Sequence, residues 1–355
     1  MSNKYAVIMA GGYGERFWPL STKSKPKQLL GLIGDIPLIT QAVNRISSII
    51  PLENILIITN NDLVHSISKV IPNIPLNNII GEPLARDTAT AISTAASIIK
   101  YKNSDAVFCV LTADHIIGDN KNFSDTINKS LDLAYKENIL ITIGIKPTFP
   151  STGFGYIKIN DYFKDYKNYY NTDIFLEKPN KENANKYIND NQYYWNSGMF
   201  IWSLKVFEKS LNKFSSSHYK YLNSLYEYLK KDELTKGMNE LYPKQNKISI
   251  DYALMEKADN VILIPSTFSW DDVGSWNALE NHFNQDEYQN TIIGNANILN
   301  SNRNIVYSKE RSVALIGVDD LVIVEAENSI LVCKKDNTEQ IKILLNNNKL
   351  KKTSS

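Results

Sequence analysis

The sequence has few cysteines, no excess of either charge and no long apolar run. Its two cysteines, Cys109 and Cys333, lie in separate apolar segments without CxxC spacing, so we predict buried thiols and no disulfide framework. Lys and Arg total 39 against 38 for Asp and Glu, and the net charge of +1 gives no general attraction to nucleic acid or to a membrane surface. No apolar run approaches the roughly 20 residues of a membrane-spanning helix, and the first residues enter an apolar strand without the pattern of a secretion signal. We therefore expect a cytoplasmic protein that binds neither nucleic acid nor membrane.

The 355 residues, 43% of them hydrophobic, are enough for one large α/β domain and a small appendage. Short apolar runs at 5–9, 55–59, 106–111 and 140–145 alternate with helical patterns such as 88–100. This alternation predicts a Rossmann-like, mostly parallel sheet covered on both faces, which binds ligands at the carboxyl ends of its strands.

The pattern also predicts the domain boundaries. We place the large domain at 1–282, a small C-terminal β domain at 283–345 and a polar tail at 346–355. Within the large domain, 153–202 is less regular and is interpreted as a substrate-side insertion.

A glycine-rich loop follows the first strand. Gly11, Gly12 and Gly14 allow backbone N–H groups to converge on phosphate oxygens, while Arg16 and Lys27 supply positive charge. The alternative is a tight strand-to-helix turn beside a solvated basic stretch.

Two common nucleotide motifs do not fit this loop. The dinucleotide fingerprint fails because Phe17 stands at the third glycine position and the second strand ends in Asn60 and Asn61 rather than in an acid. The P-loop pattern fails because no Gly-Lys-Ser/Thr follows the glycines. These failures disfavour an NAD-binding protein and a P-loop kinase or GTPase.

The segment 9–28 resembles the signature loop of the sugar-nucleotide pyrophosphorylases, in the form found in bacterial mannose-1-phosphate guanylyltransferases. The resemblance continues, in the family's order, through EPLARDTA (82–89), ADH (113–115), GFGYI (153–157), EKP (177–179), WNSGMF (195–200), SIDYA (249–253) and WDDVGSW (270–276). It implies a nucleotidyltransferase-type fold with a C-terminal segment like a short left-handed β-helix. It also implies a homodimer formed through that segment.

Two acids far apart in the sequence, Asp114 and Asp272, are suited to hold one Mg²⁺, which prefers oxygen ligands and often uses one or two carboxylates with substrate phosphates. The resemblance implies the same pair. Asp271 competes for this role, but the family's spacing of aromatic-x-Asp-x-Gly favours Asp272. His115 is expected to be structural or to support the site, since an ionised phosphate nucleophile needs no base.

A second group of residues is expected to bind the sugar phosphate. Glu177 and Lys178 combine a carboxylate for hydroxyl groups with an ammonium for phosphate, Gly155 allows close approach of the chain, and Asn196 offers a donor and an acceptor. The alternative for the Glu-Lys pair is an exposed pair without function. For the aromatic residues of 195–202, we expect an ordinary buried strand.

Glu82 is the candidate for base selection, because one carboxylate can accept both the N1–H and the 2-amino group of guanine. The alternatives are that Glu82 caps the helix near Thr88, or that Arg86 neutralises it. The residues expected to contact the nucleotide are Gly11, Gly12, Gly14, Arg16, Lys27, Glu82, Arg86 and Thr88. Those expected to be catalytic are Arg16, Lys27, Asp114, Lys178 and Asp272.

The resemblance implies a Mg²⁺-assisted, in-line attack of mannose 1-phosphate on the α-phosphorus of GTP, without a covalent intermediate. Catalysis then rests on positioning two anions and neutralising their charge. One alternative is the same chemistry on another sugar 1-phosphate or nucleotide. Another is a non-catalytic subunit that senses nucleotide sugars. Some bacterial relatives also carry a phosphomannose isomerase domain, and we expect no isomerase activity here.

Overall fold

The computed structural model describes residues 3–346, which form two compact units. The first unit comprises 3–11, 42–113 and 117–270, and the second comprises 12–41, 114–116 and 271–346. Each unit is therefore built from separate stretches of chain. The domain division at 282 stays a prediction. Of the tail predicted at 346–355, residues 347–355 lie outside the described residues.

The strands and helices have the following bounds. The strands are β1 (Lys4–Ala10), β2 (Ile55–Asn60), β3 (Ile79–Glu82), β4 (Val107–Thr112), β5 (Ile116–Ile117), β6 (Leu140–Ile145), β7 (Tyr156–Tyr162), β8 (Tyr170–Leu176), β9 (Tyr193–Ser203), β10 (Val261–Pro265), β11 (Trp270–Asp271), β12 (Thr291–Leu299), β13 (Ile305–Ile316), β14 (Leu321–Ala326) and β15 (Ser329–Lys334). The helices are α1 (Leu38–Ile46), α2 (Val64–Val70), α3 (Asp87–Lys102), α4 (Asn120–Lys136), α5 (Lys181–Asn189), α6 (Leu204–Phe214), α7 (Ser216–Leu229), α8 (Leu234–Leu241) and α9 (Ile341–Asn346). None of the described helices is long and apolar enough to cross a membrane.

The first unit is organised around a nine-stranded sheet in the order β3-β2-β1-β4-β9-β6-β10-β8-β7. Its pairings make seven strands run in one direction, and only β8 and β9 run in the other. The central strands are apolar on both faces, as strands covered by helices must be. The predicted α/β class and mostly parallel sheet are confirmed.

The irregular segment 153–202, interpreted as a substrate-side insertion, is part of this sheet. It contributes three strands, and β9 lies at the centre of the sheet, antiparallel to both β4 and β6. The aromatic residues Trp195, Phe200 and Trp202 are buried, as expected. Period-2 patterns specify which face of a strand is apolar, but they do not specify its place in the sheet.

The second unit contains a four-stranded sheet in the order β12-β13-β14-β15. β12, β13 and β14 are parallel neighbours, as in successive coils of a β-helix, and β15 returns antiparallel to β14. Buried asparagines join the coils: Asn290 Oδ1 accepts from the side chain of Asn304 at 3.0 Å, and Asn304 Oδ1 accepts from the N–H of Leu321 at 2.9 Å. These bonds satisfy polar groups where the chain turns.

The core of the second unit joins the glycine-rich loop to the C-terminal strands. Phe17 packs on Trp276 with ring centroids 5.1 Å apart, and Trp276 packs on Tyr307 at 5.7 Å. Ile341 belongs to the same cluster. The two cysteines are free thiols, Cys109 being buried and Cys333 only partly buried, which corrects the expectation for Cys333.

Candidate active site

A cavity of about 430 Å³ lies within the second unit. It brings together predicted site residues from three separate stretches of chain. Its lining consists of Tyr13, Gly14, Glu15, Arg16, Phe17, Lys27, Asp114, His115, Asp272, Gly274 and Lys342. The end of the loop from Tyr13 onwards, both candidate metal acids and the two cations expected at the triphosphate therefore face one space.

Lys27 is the buried charge of this cavity, with 5% of its surface exposed. Its Nζ donates to Asp114 Oδ2 at 3.0 Å and to the backbone oxygen of Asp272 at 2.6 Å. An ammonium has three donors, so one remains for a ligand. Lys27 thus holds the two acids in place, a role that the sequence did not indicate.

The two acids have opposite pKa shifts. Burial opposes ionisation of Asp114, but Lys27 and His115 hold the pKa of Asp114 below its usual value. Burial raises the pKa of Asp272 to about 6; Lys27 opposes the shift, and repulsion from Asp271 and Asp114 adds to it. A site that places two carboxylates close enough to repel each other favours a bound cation.

The carboxylates of Asp114 and Asp272 fit Mg²⁺ only if substrate phosphates supply further oxygen ligands. Within residues 3–346, no three His, Cys, Asp or Glu side chains are grouped to hold a metal ion by themselves. Mg²⁺ is commonly bound by one or two carboxylates together with substrate phosphates, which is the arrangement that Asp114 and Asp272 provide. We therefore find the site compatible with Mg²⁺.

Asp271 has a different task from its neighbour. Its Oδ1 accepts the N–H of Val273 at 2.7 Å, and its Oδ2 accepts from His282 at 2.9 Å and from Asn281 at 3.2 Å. Burial opposes ionisation, yet these donors lower the pKa of Asp271. Both oxygens are occupied, which supports the choice of Asp272 as the metal ligand.

The turn after Asp272 is strained. Val273 has a φ of +45°, a conformation that β-branched residues rarely adopt, and its side chain is fully buried. The bond to Asp271 and the packing of Val273 stabilise this turn, which directs Asp272 towards the cavity. Strain of this kind often occurs at functional sites.

The three glycines of the loop differ in what they accommodate. Gly14 has a φ of +61°, and a Cβ there would lie 2.2 Å from Lys27 Cβ. Gly12 has no neighbouring atom within 4 Å of such a Cβ. In the first unit, a Cβ on Gly11 would lie 3.1 Å from Glu82 Oε2. The fold therefore requires glycine at position 14, whereas a Cβ at position 12 would enter open space.

In the first unit, the adjacent strands β1, β2 and β3 place Glu82 beside Gly11. Glu82 ends β3 and is 8% exposed, and the Tyr242 hydroxyl donates to its Oε1 in a short hydrogen bond. Burial raises the pKa of Glu82 to about 7, Tyr242 opposes this shift and Asp87 adds to it. The Oε2 atom stays available for a ligand donor.

Neither alternative for Glu82 is found within residues 3–346. Helix α3 begins at Asp87 with no side-chain cap, and Asp87 itself binds the N–H of Thr88. Arg86 donates to the backbone oxygen of Pro243 at 2.5 Å, and Thr88 Oγ1 accepts the N–H of Ile250 at 2.8 Å. Arg86 and Thr88 therefore position neighbouring backbone in this structure.

The predicted sugar-binding residues also lie together in the first unit. A Cβ on Gly155 would lie 2.6 Å from Glu177 Oε2, so the glycine makes room for this carboxylate. Lys178 Nζ lies 3.4 Å from Glu177 Oε1. Asn196 Nδ2 donates to Asp251 Oδ1 at 2.9 Å and keeps a second N–H.

Sequence reasoning assigned no role to Tyr242 or to Asp251. Burial raises the pKa of Asp251 to about 6, repulsion from Glu177 adds to the shift, and hydrogen bonds oppose it. Asp251 begins a short π-helical turn, a distortion frequent at functional sites. The SIDYA block contained Asp251, but only the fold places it beside Asn196. The sequence around Tyr242 contains no motif that predicts its contact with Glu82.

Comparisons with known proteins agree with this arrangement. A family model described as nucleotidyl transferase matches residues 5–289. The mannose-1-phosphate guanylyltransferase of Salmonella muenchen is 33% identical over 347 residues, which cover 96% of this chain and 72% of that protein. The chain belongs to the mannose-1-phosphate guanylyltransferase family of nucleotidyl transferases.

The family's C-terminal part is matched separately. A model described as MannoseP isomerase/GMP-like beta-helix domain covers residues 294–347, so the predicted β-helix-like segment is confirmed. A crystal structure named mannose-1-phosphate geranyltransferase, from Thermus thermophilus, is 31% identical, with a TM-score of 0.86 and coverage of 97% of this chain and 99% of that one. A structure named mannose-6-phosphate isomerase, from Helicobacter pylori, is 25% identical, with a TM-score of 0.59 over 75% of this chain and 99% of that one.

The glycines of this nucleotidyltransferase give a matched pair of variants. Gly14→Ala should destabilise the protein by about 1 to 3 kcal/mol, because the new Cβ meets Lys27 and the φ is positive. Gly12→Ala should change the free energy of unfolding by less than about 0.5 kcal/mol, because its Cβ enters open space. Urea denaturation of both variants measures the difference, and equal losses would contradict the account of Gly14.

Proposed function

We propose that this enzyme transfers GMP from GTP to α-D-mannose 1-phosphate, giving GDP-mannose and pyrophosphate. The observation that carries the proposal is the cavity in which the glycine-rich loop, Lys27 and the acids Asp114 and Asp272 meet. Such a site combines backbone donors and positive charge for phosphates with carboxylates for Mg²⁺. The names of the relatives supply the choice of sugar and base.

The reaction needs no covalent enzyme intermediate. An oxygen of mannose 1-phosphate attacks the α-phosphorus, the new P–O bond forms in line, and the bond to the bridging oxygen breaks so that this oxygen leaves with pyrophosphate. The nucleophile is already ionised, so no base is required. The enzyme contributes orientation and neutralisation of charge.

In the second unit, Arg16 and the loop bind the triphosphate. The third N–H of the Lys27 ammonium also donates to it. Asp114 and Asp272 would hold Mg²⁺. The ion, when bound, neutralises phosphate charge and makes the phosphorus more electrophilic. Lys27 holds Asp114 and Asp272 in position while the phosphates bind.

In the first unit, Glu82 selects guanine and the group around Glu177 selects the sugar. The Oε2 atom of Glu82 accepts from guanine while Tyr242 holds Oε1. Glu177, Asn196 and Asp251 bind sugar hydroxyls, and Lys178, 64% exposed, binds the sugar phosphate. Arg86 and Thr88 contribute by fixing the backbone at Pro243 and at Ile250, next to Tyr242 and Asp251 respectively.

The proposal is tested by incubating the purified protein with Mg²⁺, GTP or another nucleoside triphosphate, and a panel of hexose 1-phosphates. GTP with mannose 1-phosphate should release pyrophosphate fastest. Faster release from another pair would reassign the substrates, and no release from any pair would favour the non-catalytic sensor. Incubation with mannose 6-phosphate alone, followed by measurement of fructose 6-phosphate, tests the expected lack of isomerase activity.

The metal assignment is tested by a series of isosteric changes. Asp114→Asn and Asp272→Asn should each lower kcat/KM by about 1,000-fold or more, because each removes a charged ligand of the Mg²⁺ that would neutralise the reacting phosphates. Asp271→Asn retains an oxygen for the N–H of Val273 and should lower kcat/KM by less than about tenfold. Circular dichroism checks the fold. A larger loss in a folded Asp271→Asn protein would overturn the assignment.

The pKa of Glu82 predicts how GTP binding depends on pH. Protonation removes an acceptor, so the KM for GTP should rise as the pH falls below about 7. In Tyr242→Phe the bond that lowers this pKa is lost, so the rise should begin at a higher pH. Tyr228→Phe, which removes a hydroxyl from the exposed Glu240, is the matched control.

Glu82→Gln completes this test. It should remove the pH dependence of the KM for GTP and reduce the preference for GTP over ATP by about 1 to 3 kcal/mol, because the amide has one acceptor oxygen for the guanine edge and the Tyr242 hydroxyl, where the carboxylate has two. Profiles of kcat/KM between pH 6 and 8.5 give both readouts. If Tyr242→Phe behaved like Tyr228→Phe, the hydrogen bond to Glu82 would have no part in base recognition.

The proposal includes a homodimer in the cytoplasm. The edge strand β15 exposes Ile330 and Val332, with exposures of 59% and 60%, which supports association through the C-terminal β segment. Light scattering after size-exclusion chromatography measures the mass.

A further inference from the structure

The cavity of the second unit receives one residue from outside the motifs named so far. Lys342 lines it together with Arg16 and Lys27, although it lies in the last described helix, α9. This helix falls within the segment matched as a β-helix domain, 294–347. The C-terminal domain therefore contributes a cation to the space assigned to the triphosphate.

The position of Lys342 is fixed by its neighbour. Ile341 is 3% exposed and belongs to the same hydrophobic cluster as Phe17, which lies in the first turn after the glycine-rich loop. Because adjacent residues in a helix point in different directions, burial of Ile341 leaves Lys342 directed outwards, at the cavity. One core therefore orients both the loop and Lys342.

The three cations of the cavity differ in their partners. Lys27 is held by Asp114 and by the backbone of Asp272. Arg16 Nε lies 2.8 Å from Glu339 Oε2, in the turn that precedes α9. Lys342 forms no ion pair within residues 3–346, so among these three it is the cation whose charge is free for an anion.

The pair between Arg16 and Glu339 is easily exchanged. Both side chains are exposed, at 49% and 63%, and an ion pair of this kind contributes little to stability. A polyphosphate offers Arg16 several oxygens with more charge than one carboxylate. Entry of polyphosphate can therefore displace Glu339 at small cost.

We propose that Lys342 binds the polyphosphate of the nucleoside triphosphate, and the pyrophosphate that leaves, while Glu339 holds Arg16 until polyphosphate takes its place. The C-terminal β domain is then part of the nucleotide site. This proposal rests on the proposed function for the identity of the nucleotide, but pyrophosphate alone suffices to test it.

The test uses the full chain and four variants of the C-terminal segment, one of them a control. Lys342→Ala should weaken binding of inorganic pyrophosphate, measured by isothermal titration calorimetry with Mg²⁺, by about tenfold, and should raise the KM for GTP to a similar extent. The KM for mannose 1-phosphate should change less than about twofold. Lys342→Arg should restore most of the affinity, and Glu339→Gln should tighten pyrophosphate binding by about two- to fivefold because Arg16 is released.

Lys334→Ala is the matched control, since Lys334 is an exposed lysine of the same segment that does not line the cavity. It removes the same charge and should leave both constants within about twofold of wild type. The assignment of Lys342 is overturned if Lys342→Ala matches Lys334→Ala, or if wild type binds no pyrophosphate. The holding role of Glu339 is overturned if Glu339→Gln fails to tighten binding. A wild-type protein that binds pyrophosphate through Lys342 but transfers no GMP would instead refute the proposed function.

Discussion

The arrangement of the second unit depends on the buried ammonium of Lys27. It contacts two chain segments that are 87 and 245 residues away in sequence, at Asp114 and at the backbone of Asp272. Without this charge, Asp114 and Asp272 would face each other in a partly buried space with no cation to offset their repulsion. A buried charge without a partner is strongly destabilising. Lys27 therefore makes it possible to keep two acids together before metal and substrate arrive.

The neighbours of Lys27 serve the same requirement. Gly14 is a glycine because the loop passes too close to Lys27 for any side chain. Asp271 stabilises the unusual backbone of Val273, and this turn fixes the direction of Asp272. Positioning charged groups in advance reduces the reorganisation needed during a reaction between two anions. The strain in the turn is offset by buried packing around Val273.

Local sequence predicted the features that depend on local patterns. The strand predicted at 140–145 has the same bounds as β6, and the motifs identified Asp114 and Asp272, which meet in one cavity. The central place of β9 was missed because the order of strands in a sheet depends on pairing, which periodicity does not encode. The bond between Tyr242 and Glu82 was missed for a similar reason, since these residues are 160 positions apart and a tyrosine after a helix carries no signal that it will meet a buried acid. A single sequence specifies such distant contacts only through the fold.

The shared core of the second unit explains why a catalytic loop and a C-terminal β domain belong together. Phe17 is 1% exposed and packs on Trp276, and their cluster includes Ile305, Val322 and Ile341. Burial of one such aromatic side chain contributes about 1.5 to 3 kcal/mol. Glycine-rich loops are flexible by composition, so this packing fixes the loop more firmly than its own backbone can. The C-terminal domain therefore stabilises the geometry of the phosphate-binding loop by the same contacts that fold its own strands.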